Sequence, residues 1–195
     1  MPHVTPLERE ALGEFEPLFE LAEAAMGFVP RSLLTMARTP ALLQAFMGLT
    51  GTVLGPGRIE PGLKSLVSYV ASRAAGCRYC QAHTSHTAHR RGVDEEKIRA
   101  AFEYETSPLF DERERAALRL AQSASLVPNE TRPEHFVALR EHFDDEEIVE
   151  LVAVVALFGF LNRWNDTMAT ELEDAPGAFG ADVLAAGGWT AGKHG

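Results

Sequence analysis

Proline is the residue that most limits what this chain can become. Its ring removes a backbone donor and clashes with the preceding turn, so helix interiors exclude it. Of the eleven prolines, none lies between Pro61 and Pro108 and none between Pro133 and Pro176. These two windows are predicted to hold the long helices. In the first, Leu63, Leu66, Val67, Val70, Ala71 and Ala74 recur at the i, i+3, i+4, i+7 spacing of a helix with an apolar stripe. In the second, Ile148, Leu151, Val152, Val155 and Ala156 repeat that spacing. Val154, Leu157 and Phe158 fill other positions there, so this helix is expected to be buried on most sides.

Punctuation residues point to further helices. Asp111 followed by Glu114 reads as a capping box opening a helix through Leu118, Ala121 and Ala124. Asp94 is expected to cap a short helix containing Ile98, Ala101 and Phe102. Leu7, Ala11, Phe15, Leu18 and Ala22 form an N-terminal stripe, and Gly92 after Arg90 and Arg91 reads as a helix stop. No alternating strand pattern stands out. The expected class is all-α, with one domain over residues 1–175, its core roughly 40–175. Residues 176–195 are expected to form a loosely attached tail rich in Gly and Ala.

A shift of 85 residues brings the two windows into register. Leu63, Leu66, Val67 and Val70 fall on Ile148, Leu151, Val152 and Val155, and Cys77-Arg78-Tyr79-Cys80 falls on Asn162-Arg163-Trp164-Asn165. Each copy reads as a helix, a break, then an aromatic beside a polar or reactive pair. The two long helices are therefore predicted to be pseudo-symmetric mates, with thiols in one copy only.

Of the 195 residues, 46% are hydrophobic and 24% charged, a globular balance. The formal charge of −10, from 18 Lys plus Arg against 28 Asp plus Glu, argues against nucleic-acid backbones and anionic membranes as partners. The longest apolar run, Leu151 to Leu161, is eleven residues, whereas a membrane span needs about twenty. The N-terminus runs directly into Glu8, Arg9 and Glu10 without an apolar leader. The expected location is cytoplasmic.

In a reducing compartment, two cysteines three residues apart read as redox or metal chemistry rather than a structural staple. Gly76 is expected to break the first helix, and a new one to run from near Cys77 to Arg91. That places both thiols in a first helical turn, where free N–H groups and the dipole favour the thiolate, the reactive form. His83, three residues after Cys80, is a candidate base. A metal reading uses Cys77, Cys80, His83 and His86, but on one helix these span about 13 Å of rise, and four such ligands cannot surround one ion. No metal or cofactor is therefore predicted. His86 and His89 taken singly read as solvated helix-face residues. Arg163, Trp164, Asn165 and Asp166 read equally well as braces at a helix end or as part of a site. Glu150, which the repeat sets opposite Ser65, reads more readily as a surface acid than as a proton relay.

A helix, then Gly-Cys-Arg-Tyr-Cys, then a His-bearing helix closing at Gly92-Val93, resembles the carboxymuconolactone decarboxylase family, and within it the AhpD-like alkylhydroperoxidase branch. The resemblance spans roughly residues 40–175. It implies an all-α AhpD-like fold, trimers or hexamers, and thiol-dependent peroxide reduction. The branch's pattern carries over to Cys77 and Cys80. Its Glu, twelve residues before the first Cys, is here Ser65, and its His, four residues after the second, is Thr84. Glu60 lies too far out of register to substitute. His83 or His86, with Glu150 or Asp166 from the second copy, are the expected replacements for that relay.

The resulting expectation is a peroxidase-type oxidoreductase with Cys77, Cys80, His83 and His86 as its catalytic group. Cys80 would attack a hydroperoxide, Cys77 would resolve the sulfenic acid to a disulfide, and an external dithiol would reduce that disulfide. One alternative is a decarboxylase-like lyase that makes no redox use of the thiols, with Arg78 or Arg163 holding a substrate carboxylate. Another is a redox- or metal-sensing module without turnover.

Overall fold

A computed structural model describes residues 1–195, and the fold is all-α. Ten helices follow in order: α1 (Glu16–Met26), α2 (Arg31–Met36), α3 (Pro40–Leu54), α4 (Pro61–Ala74), α5 (Arg78–Arg90), α6 (Glu95–Arg99), α7 (Glu112–Ala124), α8 (Pro133–Arg140), α9 (Asp145–Met168) and α10 (Asp174–Phe179). Prolines open α3, α4 and α8, where the missing N–H would have had no partner in any case. The proline windows overlook α3. At 15 residues α3 exceeds α4, yet it lies outside both windows because it fills the shorter proline-free gap between Pro40 and Pro56.

α4 is the central element and packs against α5, α7 and α9. Every residue from Leu63 to Ser72 is buried, so it is not the half-exposed helix its stripe suggests. Two of its serines bond back to the helix: Ser65 Oγ donates to Pro61 O (2.9 Å) and Ser68 Oγ to Lys64 O (2.7 Å), while the buried Ser72 hydroxyl has no partner. Lys64, 1% exposed, donates to Val53 O and Gly55 O and pairs with Glu150 at 2.5 Å. Glu150 is accordingly a half-buried counter-ion and not a free surface acid. Burial opposes its ionisation, but Lys64 and the Arg58 N–H outweigh that, and its pKa falls.

Asp111 and Glu114 form the expected capping box on α7, and Asp144 with Glu147 forms another on α9. Asp94 makes no side-chain cap. At the N-terminus the stripe is displaced: short 3₁₀ turns precede α1, and Leu12, Phe15, Phe19 and Ala22 are the buried residues. The helix begins only at Glu16, which resets the phase inferred from Leu7. α9 is not enclosed on most sides either, because Val149, Val152, Ala156 and Phe160 form an exposed stripe.

The segment after Pro176 is docked. α10 lies on α5, and beyond it come a π-helical turn (Gly180–Leu184) and two 3₁₀ turns. Trp189 and His194 are buried, the Trp189 indole N–H donates to Arg78 O (3.1 Å), and the Leu172 N–H donates to His194 O (2.8 Å). The small residues that read as slack are what let this segment turn tightly against α5. No helix is long and apolar enough to cross a membrane.

Candidate active site

The thiols are set by the junction of α4 and α5. Gly76, at φ +81°, closes α4: its N–H donates to Arg73 O and that of Cys77 to Ser72 O. This is a Schellman turn, and it needs a residue that tolerates the left-handed region. Cys77 is then the N-cap of α5, its sulfur accepting from the Cys80 N–H at 3.4 Å. Both cysteines are unbonded and buried.

The two sulfurs are not equivalent. The Cys80 thiol donates toward Cys77, and backbone N–H groups add to it, so the Cys77 pKa is lowered despite burial. Burial and the Cys77 sulfur push Cys80 up. Asn165 Nδ2 also donates to Cys80 Sγ at 3.4 Å. Only Cys80 lines the principal cavity, a mainly apolar space of about 560 Å³ between α1, α2, α3, α4, α5 and α9. Acidity therefore sits on one sulfur and access on the other.

His83 lines the same cavity. Its Nε2 lies 2.5 Å from Glu173 Oε2, and its ring stacks on Tyr79 with centroids 4.1 Å apart. Tyr79 donates to Glu173 Oε1 (3.0 Å), as does the Arg31 N–H (2.6 Å). Burial opposes ionisation of Glu173, but His83 and the Arg31 N–H lower its pKa on balance. Desolvation and Glu173 keep the Tyr79 hydroxyl protonated. Tyr79 and His83 thus line the cavity joined through Glu173, while Ser65 and Thr84 occupy the positions where the AhpD-like pattern has Glu and His. Thr84 instead caps the Cys80 carbonyl at 2.7 Å.

Three of the four expected residues meet here and one does not. Cys77, Cys80 and His83 share the site, although His83 bonds to Glu173 and makes no hydrogen bond to a sulfur. His86 lies outside the cavity, between Phe28 and Phe179, with burial lowering its pKa. Arg78 is tied to Thr190 and Arg163 is exposed on α9, so neither faces the cavity. The cavity's cation is Arg91. Asp166 pairs with Lys193 at 2.9 Å rather than joining a relay. Glu173 escaped the sequence reading because it lies 90 positions from His83 and carries no local motif. No group of three or more His, Cys, Asp or Glu side chains could hold a metal ion.

The repeat has a structural counterpart. Asn165 touches Cys80, its own partner under the 85-residue shift, where α5 meets α9. The expected break in the second copy is absent: α9 runs unbroken through Asn162 and Asn165 because Leu161 occupies the place of Gly76.

Residues 40–123 match the carboxymuconolactone decarboxylase family. The debrominase Bmp8, solved as a Cys→Ala variant with 2,3,4-tribromopyrrole, superposes with a TM-score of 0.89 at 39% identity, over 94% of this chain and 98% of that one. The alkylhydroperoxidase AhpD core of a peroxidase-related protein from Ralstonia eutropha shares the fold, with a TM-score of 0.77 at 24% identity, over 90% of this chain and 94% of that one. The uncharacterised YnjA of Escherichia coli is 31% identical over 127 residues, 65% of this chain and 69% of that protein.

Proposed function

The chain belongs to the carboxymuconolactone decarboxylase family, whose members include enzymes, and we propose that it is a thiol-dependent two-electron reductase of organic hydroperoxides. One observation carries the reading: a Cys-x-x-Cys pair joined by a hydrogen bond, with one sulfur opening into an apolar cavity.

The Cys77 thiolate takes the proton of Cys80, which leaves the cavity-facing sulfur ionised with the Asn165 amide donating to it. Cys80 attacks the hydroperoxide oxygen that bears hydrogen. The O–O bond breaks, Cys80 becomes a sulfenic acid, and the leaving alkoxide takes a proton delivered through His83, which Glu173 holds in place. The Cys77 thiol then attacks Cys80 sulfur and water leaves. The sum is one hydroperoxide and two thiols giving an alcohol, water and a disulfide. An external dithiol restores the thiols by exchange.

A second reading, reductive debromination of a bromoarene, is favoured by the likeness to Bmp8. Cys80 would take the bromine as a sulfenyl bromide, His83 would protonate the aryl carbon, and Cys77 would expel bromide to give the same disulfide.

The test supplies one equivalent of cumene hydroperoxide or 2,3,4-tribromopyrrole to reduced protein and reads intact mass and product. Loss of two hydrogens, abolished in Cys77→Ser and Cys80→Ser, is expected, and the product tells which reading holds. Equal consumption by all three proteins rejects the thiol mechanism. We further propose a cytoplasmic homo-oligomer.

A further inference from the structure

Cys80, Thr84, Thr87 and Arg91 all line the cavity, at i, i+4, i+7 and i+11. That spacing is a single face of α5 and its C-terminal cap. The cavity therefore runs along the helix from a thiol at its start to a guanidinium at its end. The rise between them is about 16 Å, and because helical side chains lean toward the N-terminus, the two reacting heads stand on the order of 10 Å apart. The facing wall is apolar, with Met26, Leu33, Phe46, Met47, Phe158 and Leu161.

Arg91 has no counter-ion. Its Nη1 donates to Pro61 O at 3.3 Å and Ser65 Oγ at 3.1 Å, while Nε and Nη2 donate to no protein atom. Burial lowers its pKa, and no neighbouring carboxylate counters the effect. Arg58, Arg113 and Arg119, by contrast, each pair with carboxylates. Ser65 stands where the AhpD-like pattern has Glu, so the replacement leaves the guanidinium beside a neutral hydroxyl. A half-buried cation without an internal partner gains when an anion joins it. A planar guanidinium with free donors suits a carboxylate.

We propose that Arg91 binds the carboxylate of an amphiphilic substrate, an organic acid with a long apolar body whose reducible group reaches Cys80. The inference rests on the thiol-reductase reading and specifies its substrate class as fatty-acid-type hydroperoxides. Ser65 is the residue that keeps Arg91 available.

Two measurements test it. Binding of dodecanoate and of dodecan-1-ol to the Cys80→Ser protein is followed by calorimetry, which requires no turnover. Dodecanoate is expected to bind about 10- to 100-fold more tightly than the alcohol, the worth of a charged hydrogen-bonded pair. That preference should vanish in Arg91→Leu and in Ser65→Glu, which supplies an internal counter-charge, and largely persist in Arg91→Lys. Second, kcat/KM is compared for linoleic acid hydroperoxide and its methyl ester, and the acid-to-ester ratio should fall in step. Equal binding of acid and alcohol by the parent protein, or a preference indifferent to Arg91→Leu and Ser65→Glu, overturns the proposal. If neither hydroperoxide is turned over while Arg91-dependent binding of dodecanoate holds, the thiol chemistry fails and the carboxylate site stands.

Discussion

Glu173 and His83 show how much of this site one carboxylate organises. Glu173 receives His83, Tyr79 and the Arg31 N–H together, so replacing it unbalances three groups. Its folded pKa lies below the ordinary 4.5, so the stabilisation it confers is complete above that value and is lost as pH falls through the lower folded value. Thermal melts across acid pH should therefore show a steeper decline for the parent protein than for Glu173→Gln. That variant should also be less stable at neutral pH by about 1–3 kcal/mol. The thiols allow a second residue-level prediction. The Cys80 thiol is the largest cause of Cys77's acidity, so ultraviolet titration of the thiolate should find Cys77 harder to ionise in Cys80→Ala than in the parent. Cys77, Cys80 and His83 were legible because they sit within one turn or two of each other. Glu173 and Arg91 were not: the first is joined to the site only by tertiary folding, and the second matters only once α5 is known to line a cavity along its length.

The elements were legible where backbone chemistry is local. Gly76 and Gly92 stop their helices through Schellman turns, and Asp111 caps α7 as its sequence implies. At Gly76 a methyl group would meet nothing within 4 Å, so the cost of Gly76→Ala is the left-handed φ alone, about 1–2 kcal/mol in a denaturant melt. The same change should slow disulfide formation, since the turn aims both sulfurs. What periodicity could not reveal is that α4 is enclosed on all sides. A polar stripe usually faces water, yet here Lys64 folds inward to Glu150 and two carbonyls, and Ser65 and Ser68 bond to their own helix. Lys64→Ala should cost about 3–5 kcal/mol by stranding Glu150, and the double variant Lys64→Met/Glu150→Gln should recover much of that loss in chemical denaturation.

At the scale of the whole molecule, the exposed face of α9 is the surface through which the proposed homo-oligomer would form. Val149 is 68% exposed, Val152 41% and Phe160 40%, and Phe160 continues as an aromatic stack into Phe46 and Trp164. An apolar stripe of this kind is a natural self-association surface. Light scattering should find a multimer whose mass falls toward that of one chain in Phe160→Glu, and an unchanged mass would move the interface elsewhere. The sequence marked α9 as apolar but not which side stays open, because that depends on which neighbours α4 and α5 have already covered. The meeting of Asn165 with Cys80 carries a consequence of its own. Positions matched by the 85-residue shift face each other there, so a sulfur at both would let Cys80 cross-link α5 to α9 instead of joining its neighbour on α5. The amide removes that rival and leaves Cys80 with a single bonding partner. Introducing one, as Asn165→Cys, should divert oxidation into a second disulfide that non-reducing peptide mapping resolves.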